Sequence, residues 1–112
     1  MTPRQKTMQD VEAVARIYRV KADEVMSHSR RDRAVKARQA VMWMLRYFRG
    51  WSYMEIGRLM NRDHSTVAYG IGRHDMRLGR QTGVSAQVSR KMEYARLWYY
   101  VEKSPAEWKV AA

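Results

Sequence analysis

The sequence predicts an all-α domain. Three observations carry that expectation: apolar residues recur at helical spacing in several segments, no stretch alternates with the period of a strand, and Gly, Asn and Ser punctuate the segments at short intervals. The length of 112 residues fits one domain of ordinary size. A chain of this length buries roughly two-thirds of its unfolded surface, enough for one core without metal or disulfide staples. There are no cysteines, which excludes disulfides and thiolate metal sites.

Taken in order, residues 1–10 read as a flexible arm, because no apolar period is established before Val11. Val11, Val14, Ala15 and Tyr18 then fall on one helical face. Lys21 to Ser27 offers a short second helix with Val25 and Met26 inward. Ser29 to Lys36 carries five charges in eight residues and reads as an exposed basic loop. Ala37 to Arg49 is the core helix, with Val41, Met44, Leu45 and Phe48 in one stripe and Gly50 ending it.

Ser52-Tyr53-Met54-Glu55 is a capping box that opens a helix through Met60, and Asn61 is suited to the left-handed turn that stops it. A further helix starts between Asp63 and Ser65 and runs to about Arg77, with Val67 and Ile71 inward. Gly79 and Gly83 mark a loop. Ser85 to Lys103 is the last helix, with Val88, Met92, Ala95 and Trp98 or Tyr99 as its apolar positions, before Ser104-Pro105 halts it. His28 and His74 read as surface residues.

The charge points to a polyanion. There are 22 basic against 11 acidic side chains, for a formal charge of +11, and 16 of the basic residues are Arg. The guanidinium fork matches phosphate and guanine edges, so nucleic acid is the expected partner, ahead of an anionic membrane or an acidic protein. The longest apolar runs fall far short of the roughly 20 residues that span a bilayer, and the amino terminus lacks the apolar stretch of a signal peptide. A cytoplasmic, nucleoid-associated location follows as an expectation. The three histidines include no His-x-x-x-His pair, and no carboxylate cluster or activated nucleophile is legible. Neither a metal, nor a cofactor, nor an enzymatic activity is therefore expected.

A short helix, a tight turn and a second helix with a polar start form the helix-turn-helix pattern, with Gly57 placed where two steeply crossed helices approach closely. Four blocks of residues give that pattern a family likeness. They are Val14-Ala15 with Val20-Lys21 and Val25-Met26; Arg30-Arg31-Asp32-Arg33 with Arg38-Gln39; Glu55-Ile56-Gly57; and Arg62-Asp63-His64-Ser65-Thr66-Val67. In order and spacing they resemble the carboxy-terminal DNA-binding domain of the bacterial replication initiator DnaA. The likeness runs from about Val14 to His74.

The resemblance implies double-stranded DNA as the partner, with the basic loop in the minor groove and the start of the second helix in the major groove. By position, Asp63, His64, Ser65 and Thr66 face base edges, chemistry that suits cytosine N4, base-edge hydrogen bonds and a thymine methyl. Asp63 or Ser65 is also a natural N-cap, and capping and base contact coexist. Arg30, Arg31, Arg33 and Lys36 are the minor-groove set, with Arg31 the principal residue. Arg38, Gln39, Arg46, Arg49, Ser52, Tyr53 and Arg62 are implied backbone contacts.

The chain departs from the family pattern in three places, one of them downstream of Val67, where the match fades into Ala68-Tyr69-Gly70-Ile71-Gly72. It is one residue shorter between Arg33 and Arg38, with Ala37 in place of a proline, and one residue shorter before Arg62. The family's box sequence is therefore not carried over. No Gly-Lys-Ser/Thr phosphate loop occurs in the sequence, so ATP-driven filament formation is not expected.

On this reading residues 11–78 form the DNA-binding domain, 84–103 a helix that packs on the domain or on a partner, and 104–112 a tail. Trp98, Tyr99, Tyr100 and Trp108 concentrate aromatics there, and Trp98 and Tyr99 are the candidate protein-partner surface. The expected function is sequence-specific duplex binding, as a transcriptional regulator of phage-like or mobile genes. The alternative is a replication-control factor that occupies initiator boxes or docks a replication partner.

Overall fold

A computed structural model describes residues 2–103. Six α-helices and two π-helical turns follow one another, with no strand among the described residues. Helix α1 spans Pro3–Ile17, α2 Ala22–Met26, α3 Asp32–Trp43, α4 Tyr53–Met60, α5 His64–Thr82 and α6 Ala86–Trp98. Met44–Phe48 continues α3, and Tyr99–Lys103 continues α6, each as a wider π turn.

The amino-terminal segment is helical from Pro3, not an arm up to residue 10. Thr2 accepts from the Gln5 amide and the Gln5 side chain returns a bond to the Thr2 amide, a capping box with Pro at the first helical position. The apolar period begins only later, so periodicity missed a helix that its cap specifies. Similarly, α3 starts at Asp32, inside the segment expected to be a loop. Asp32 lies in the first turn, where a carboxylate favours the helix dipole, and pairs with Lys36 at 2.9 Å. The inward residue of that turn is Ala34, fully buried but too small to extend the apolar stripe back from Ala37.

Helix α3 is the centre of the core. Val41, Met42, Trp43, Met44 and Leu45 are buried among Val11 and Val14 of α1, Val25 of α2, Ile56 and Met60 of α4, Val67 and Ile71 of α5, and Leu97 of α6. Gly70 lets α5 lie tightly on α3, since a Cβ there would sit 2.6 Å from the Met42 sulfur. The π turn sets Phe48 against Tyr94, stacked at 4.6 Å, and Arg49 against Asp10. Gly50 then reverses the chain at φ +76°, and Ser52 caps α4 through the expected box with Glu55.

Helix α5 is longer than the sequence suggested and absorbs Gly79; the left-handed Gly83 terminates it at φ +68°. The larger correction concerns α6. Its inward residues are Ser89, Glu93 and Leu97, followed by Val101 in the π turn, whereas Val88, Met92, Ala95, Trp98 and Tyr99 are exposed. The helix is held by buried polar chemistry. His74 is buried, not a surface residue, and its Nε2 lies 2.6 Å from Glu93 Oε2. Arg96 completes the group with bonds of 2.6 and 2.9 Å to the two Glu93 oxygens. A hydrophobic period cannot see a stripe of this kind.

Candidate nucleic-acid interface

The turn between α4 and α5 is built by close approach. A Cβ on Gly57 would collide with the Arg62 carbonyl oxygen, so only glycine lets the chain fold back there. Asn61 adopts the left-handed conformation at φ 53°, and the Arg62 amide donates to the Gly57 carbonyl at 2.8 Å. Two residues later Asp63 caps α5, its carboxylate accepting from the Ser65 amide at 3.0 Å and from the Ser65 hydroxyl. Those bonds, the hydroxyl's first, hold the Asp63 carboxyl below its ordinary value. His64 Nδ1 lies 3.5 Å from Asp63 Oδ1.

Asp63, His64, Ser65 and Thr66 are all exposed, and they form a contiguous polar opening to α5. The outward face continues along the same helix through Tyr69, Gly72, Met76 and Arg80. Tyr69 is 66% exposed, one turn beyond Ser65, and was not among the expected site residues. The available signal was the inward pair Val67 and Ile71, which fixes Tyr69 on the opposite side.

The basic segment lies before and across the start of α3. Arg30 and Arg33 are exposed, and Arg31 is the N-cap residue with an extended backbone. Arg31 Nη1 donates to Glu24 Oε1 at 3.1 Å, and Lys36 is paired with Asp32. Arg33 and Lys36 therefore project from a helix, not from a loop.

Three of the arginines expected to meet the DNA backbone have internal tasks. Arg38 is buried, and its guanidinium donates to the carbonyls of Val25, Ser27 and Ser29 at 2.9, 2.8 and 3.0 Å. Desolvation lowers its pKa, though an arginine remains charged. Arg49 makes a bidentate pair with buried Asp10 at 2.8 and 2.9 Å and reaches Glu102 at 2.5 Å. Its pKa is raised, chiefly by the Asp10 bond. Arg62 donates to the carbonyls of Met60 and Ser27, both at 2.6 Å. These bonds tie the basic segment to the helix-turn-helix corner.

The remaining expected backbone contacts are Gln39, Arg46, Ser52 and Tyr53, all partly accessible. Arg46 donates to the Trp51 carbonyl at 3.1 Å and lies 4.6 Å from the centre of the Tyr53 ring. It is thereby set beside the amino terminus of α4, where backbone amides favour an anion. Among the described residues no group of His, Asp or Glu is arranged to hold a metal ion. Among the described residues no helix is long and apolar enough to cross a membrane. Trp98 and Tyr99 are 45% and 47% exposed. The tail 104–112, with Trp108, lies outside the described residues.

A close glycine-dependent corner, a capped second helix with an exposed polar start, and a flanking basic segment define a helix-turn-helix domain of the DNA-binding kind. The chain belongs to the family described as the bacterial DnaA protein helix-turn-helix, whose model matches residues 10–73. Curated relatives agree. Over 67 residues it is 41% identical to the chromosomal replication initiator protein DnaA of Aquifex aeolicus (strain VF5), a match covering 59% of this chain and 17% of that protein. Over 77 residues it is 38% identical to the initiator protein DnaA of Thermomicrobium roseum, covering 68% of this chain and 17% of the relative. The initiator protein DnaA of Rhizobium johnstonii is 33% identical over 88 residues, 77% of this chain and 18% of its own. The chain thus spans 17–18% of the length of these relatives. No solved structure matches it.

Proposed function

We propose that this protein is a sequence-specific reader of double-stranded DNA. The observation that carries the reading is the exposed sequence His64-Ser65-Thr66 at the capped start of α5, directly after the corner at Gly57 and Asn61. In the proposed complex α5 enters the major groove by its amino-terminal end. Asp63 caps the helix and keeps an exposed oxygen edge for a cytosine amine, and His64, Ser65 and Thr66 meet base edges. Arg31 enters the minor groove with Arg30, Arg33 and Lys36 beside it, a site where narrow A·T-rich grooves attract arginine. Gln39, Arg46, Ser52 and Tyr53 take the phosphates. Arg38, Arg49 and Arg62 support these segments from behind. No catalytic step and no cofactor enter this reading, and the protein acts in the cytoplasm at the nucleoid.

The finer proposal is regulation of transcription, with α6 as a surface for a protein partner through Trp98 and Tyr99. The support is that these aromatics are about half exposed on a helix beyond the family match. A replication-control role has one specific observation in its favour: the matched relatives are named as chromosomal replication initiators. Mapping bound sites in the source cell separates the two, with promoter sites supporting the first and origin sites the second.

The binding claim itself is tested by salt titration on duplex DNA. If about 5 phosphates are neutralised, log K falls against log salt with a slope of roughly −4 to −5. A slope near zero, or a preference for single strands, contradicts the proposal.

A further inference from the structure

We infer that Glu24 is an affinity-determining residue that latches Arg31: duplex binding requires the Glu24–Arg31 ion pair to open. The inference rests on the minor-groove reading of Arg31 given above. Glu24 Oε1 accepts from Arg31 Nη1 at 3.1 Å, and the pair is asymmetric, with the Arg31 side chain 69% exposed and that of Glu24 23% exposed. Only one guanidinium nitrogen is engaged, in contrast to the two-nitrogen grip of Asp10 on Arg49. A single-point pair whose guanidinium is largely exposed is weak and exchanges readily. Neighbouring Arg30 makes no ion pair among the described residues, so of these two adjacent arginines only Arg31 is restrained.

Glu24 itself is anchored independently of Arg31. Its Oε2 accepts from the Ser29 hydroxyl at 3.0 Å, and the Arg31 amide donates to that same hydroxyl at 3.3 Å. The buried Arg38 guanidinium also feels the Glu24 charge. When Arg31 swings away, Glu24 therefore keeps a hydrogen bond and a nearby cation, and opening the pair strands no charge. In this proposal the Arg31 guanidinium leaves the Glu24 carboxylate to reach the floor of the groove. Every complex that uses Arg31 pays for that opening.

The test is a double-mutant cycle on the full chain, using a short A·T-rich duplex at low salt. Glu24→Gln keeps an acceptor for Ser29 and removes the charge, and thermal melts check that each variant is folded. The expected result is about two- to fivefold tighter binding for Glu24→Gln, with that gain absent when Arg31→Ala is already present. An equal gain in both backgrounds overturns the latch, since the carboxylate then acts only as a like charge to the phosphates. Weaker or unchanged binding by Glu24→Gln also overturns it. Failure of the wild-type chain to bind the duplex at all overturns the DNA reading beneath it, and the wild-type measurement alone reveals that case.

Discussion

Arg38 and Arg62 donate to one and the same carbonyl oxygen, that of Ser27, at 2.8 and 2.6 Å. The first comes from the core helix and the second from the helix-turn-helix corner, so the basic segment and the start of α5 share a fixed point. Replacing Arg38 by Met leaves the carbonyls of Val25 and Ser29 without their donor in a buried setting. The expected loss is about 1–3 kcal/mol of folding stability, read by urea denaturation. A change below about 0.5 kcal/mol, the range of ordinary surface substitutions, contradicts the assigned role.

Gly57→Ala separates helix propensity from packing. In an open helix the change stabilises by up to about 1 kcal/mol. Here the added Cβ meets the Arg62 carbonyl, so the corner must open. The prediction is a net destabilisation of about 1–3 kcal/mol, together with weaker duplex binding. Unchanged or increased stability contradicts the close approach at this corner.

Acid sensitivity follows from Glu93. Burial alone raises its carboxyl, but bonds from His74 and Arg96 and their charges outweigh burial and hold it at about 2. A carboxyl depressed from its ordinary 4.5 contributes stability that is complete above that value and is lost as pH falls toward 2. The contribution is on the order of a few kcal/mol. Denaturation midpoints should therefore drop between about pH 4.5 and 2, and Glu93→Gln should flatten that dependence while lowering stability at neutral pH. An identical acid profile in the variant counts against the assignment.

Truncation after Gly83 tests whether α6 belongs to the domain. The deletion removes Leu97 and Val101 from the core and strips His74 of its carboxylate partner. The shortened chain should lose its cooperative melt in circular dichroism. Retention of a native-like melt would show that the first five helices are sufficient.

The parts of the fold that were legible in the sequence are those written in caps and strong apolar periods. The Ser52–Glu55 box, the left-handed Asn61, the Gly57 contact and the core residues Val41, Met44 and Leu45 all follow from local chemistry. The early start of α1 was written in its cap but not in its period. The first turn of α3, before Ala37, was hidden because its buried residue, Ala34, covers little surface. The orientation of α6 was hidden because Glu93, the most polar residue of its inner face, becomes buried only through partners on α5 and on α6 itself. Of the site, the position of Asp63 to Thr66 was legible. That Arg38 and Arg49 are drawn inward was not, since an arginine's sequence does not reveal which carbonyls or carboxylates lie within its reach.

Whether the start of α5 reads bases is decided by a comparison of specific and random DNA. A preferred site is enriched from a random duplex library, and wild-type and His64→Ala proteins are then titrated on that site and on random DNA. The expected result is that His64→Ala costs about 1–3 kcal/mol on the preferred site and little on random DNA. Equal losses on both, or no enrichment of any sequence by the wild-type protein, would contradict it.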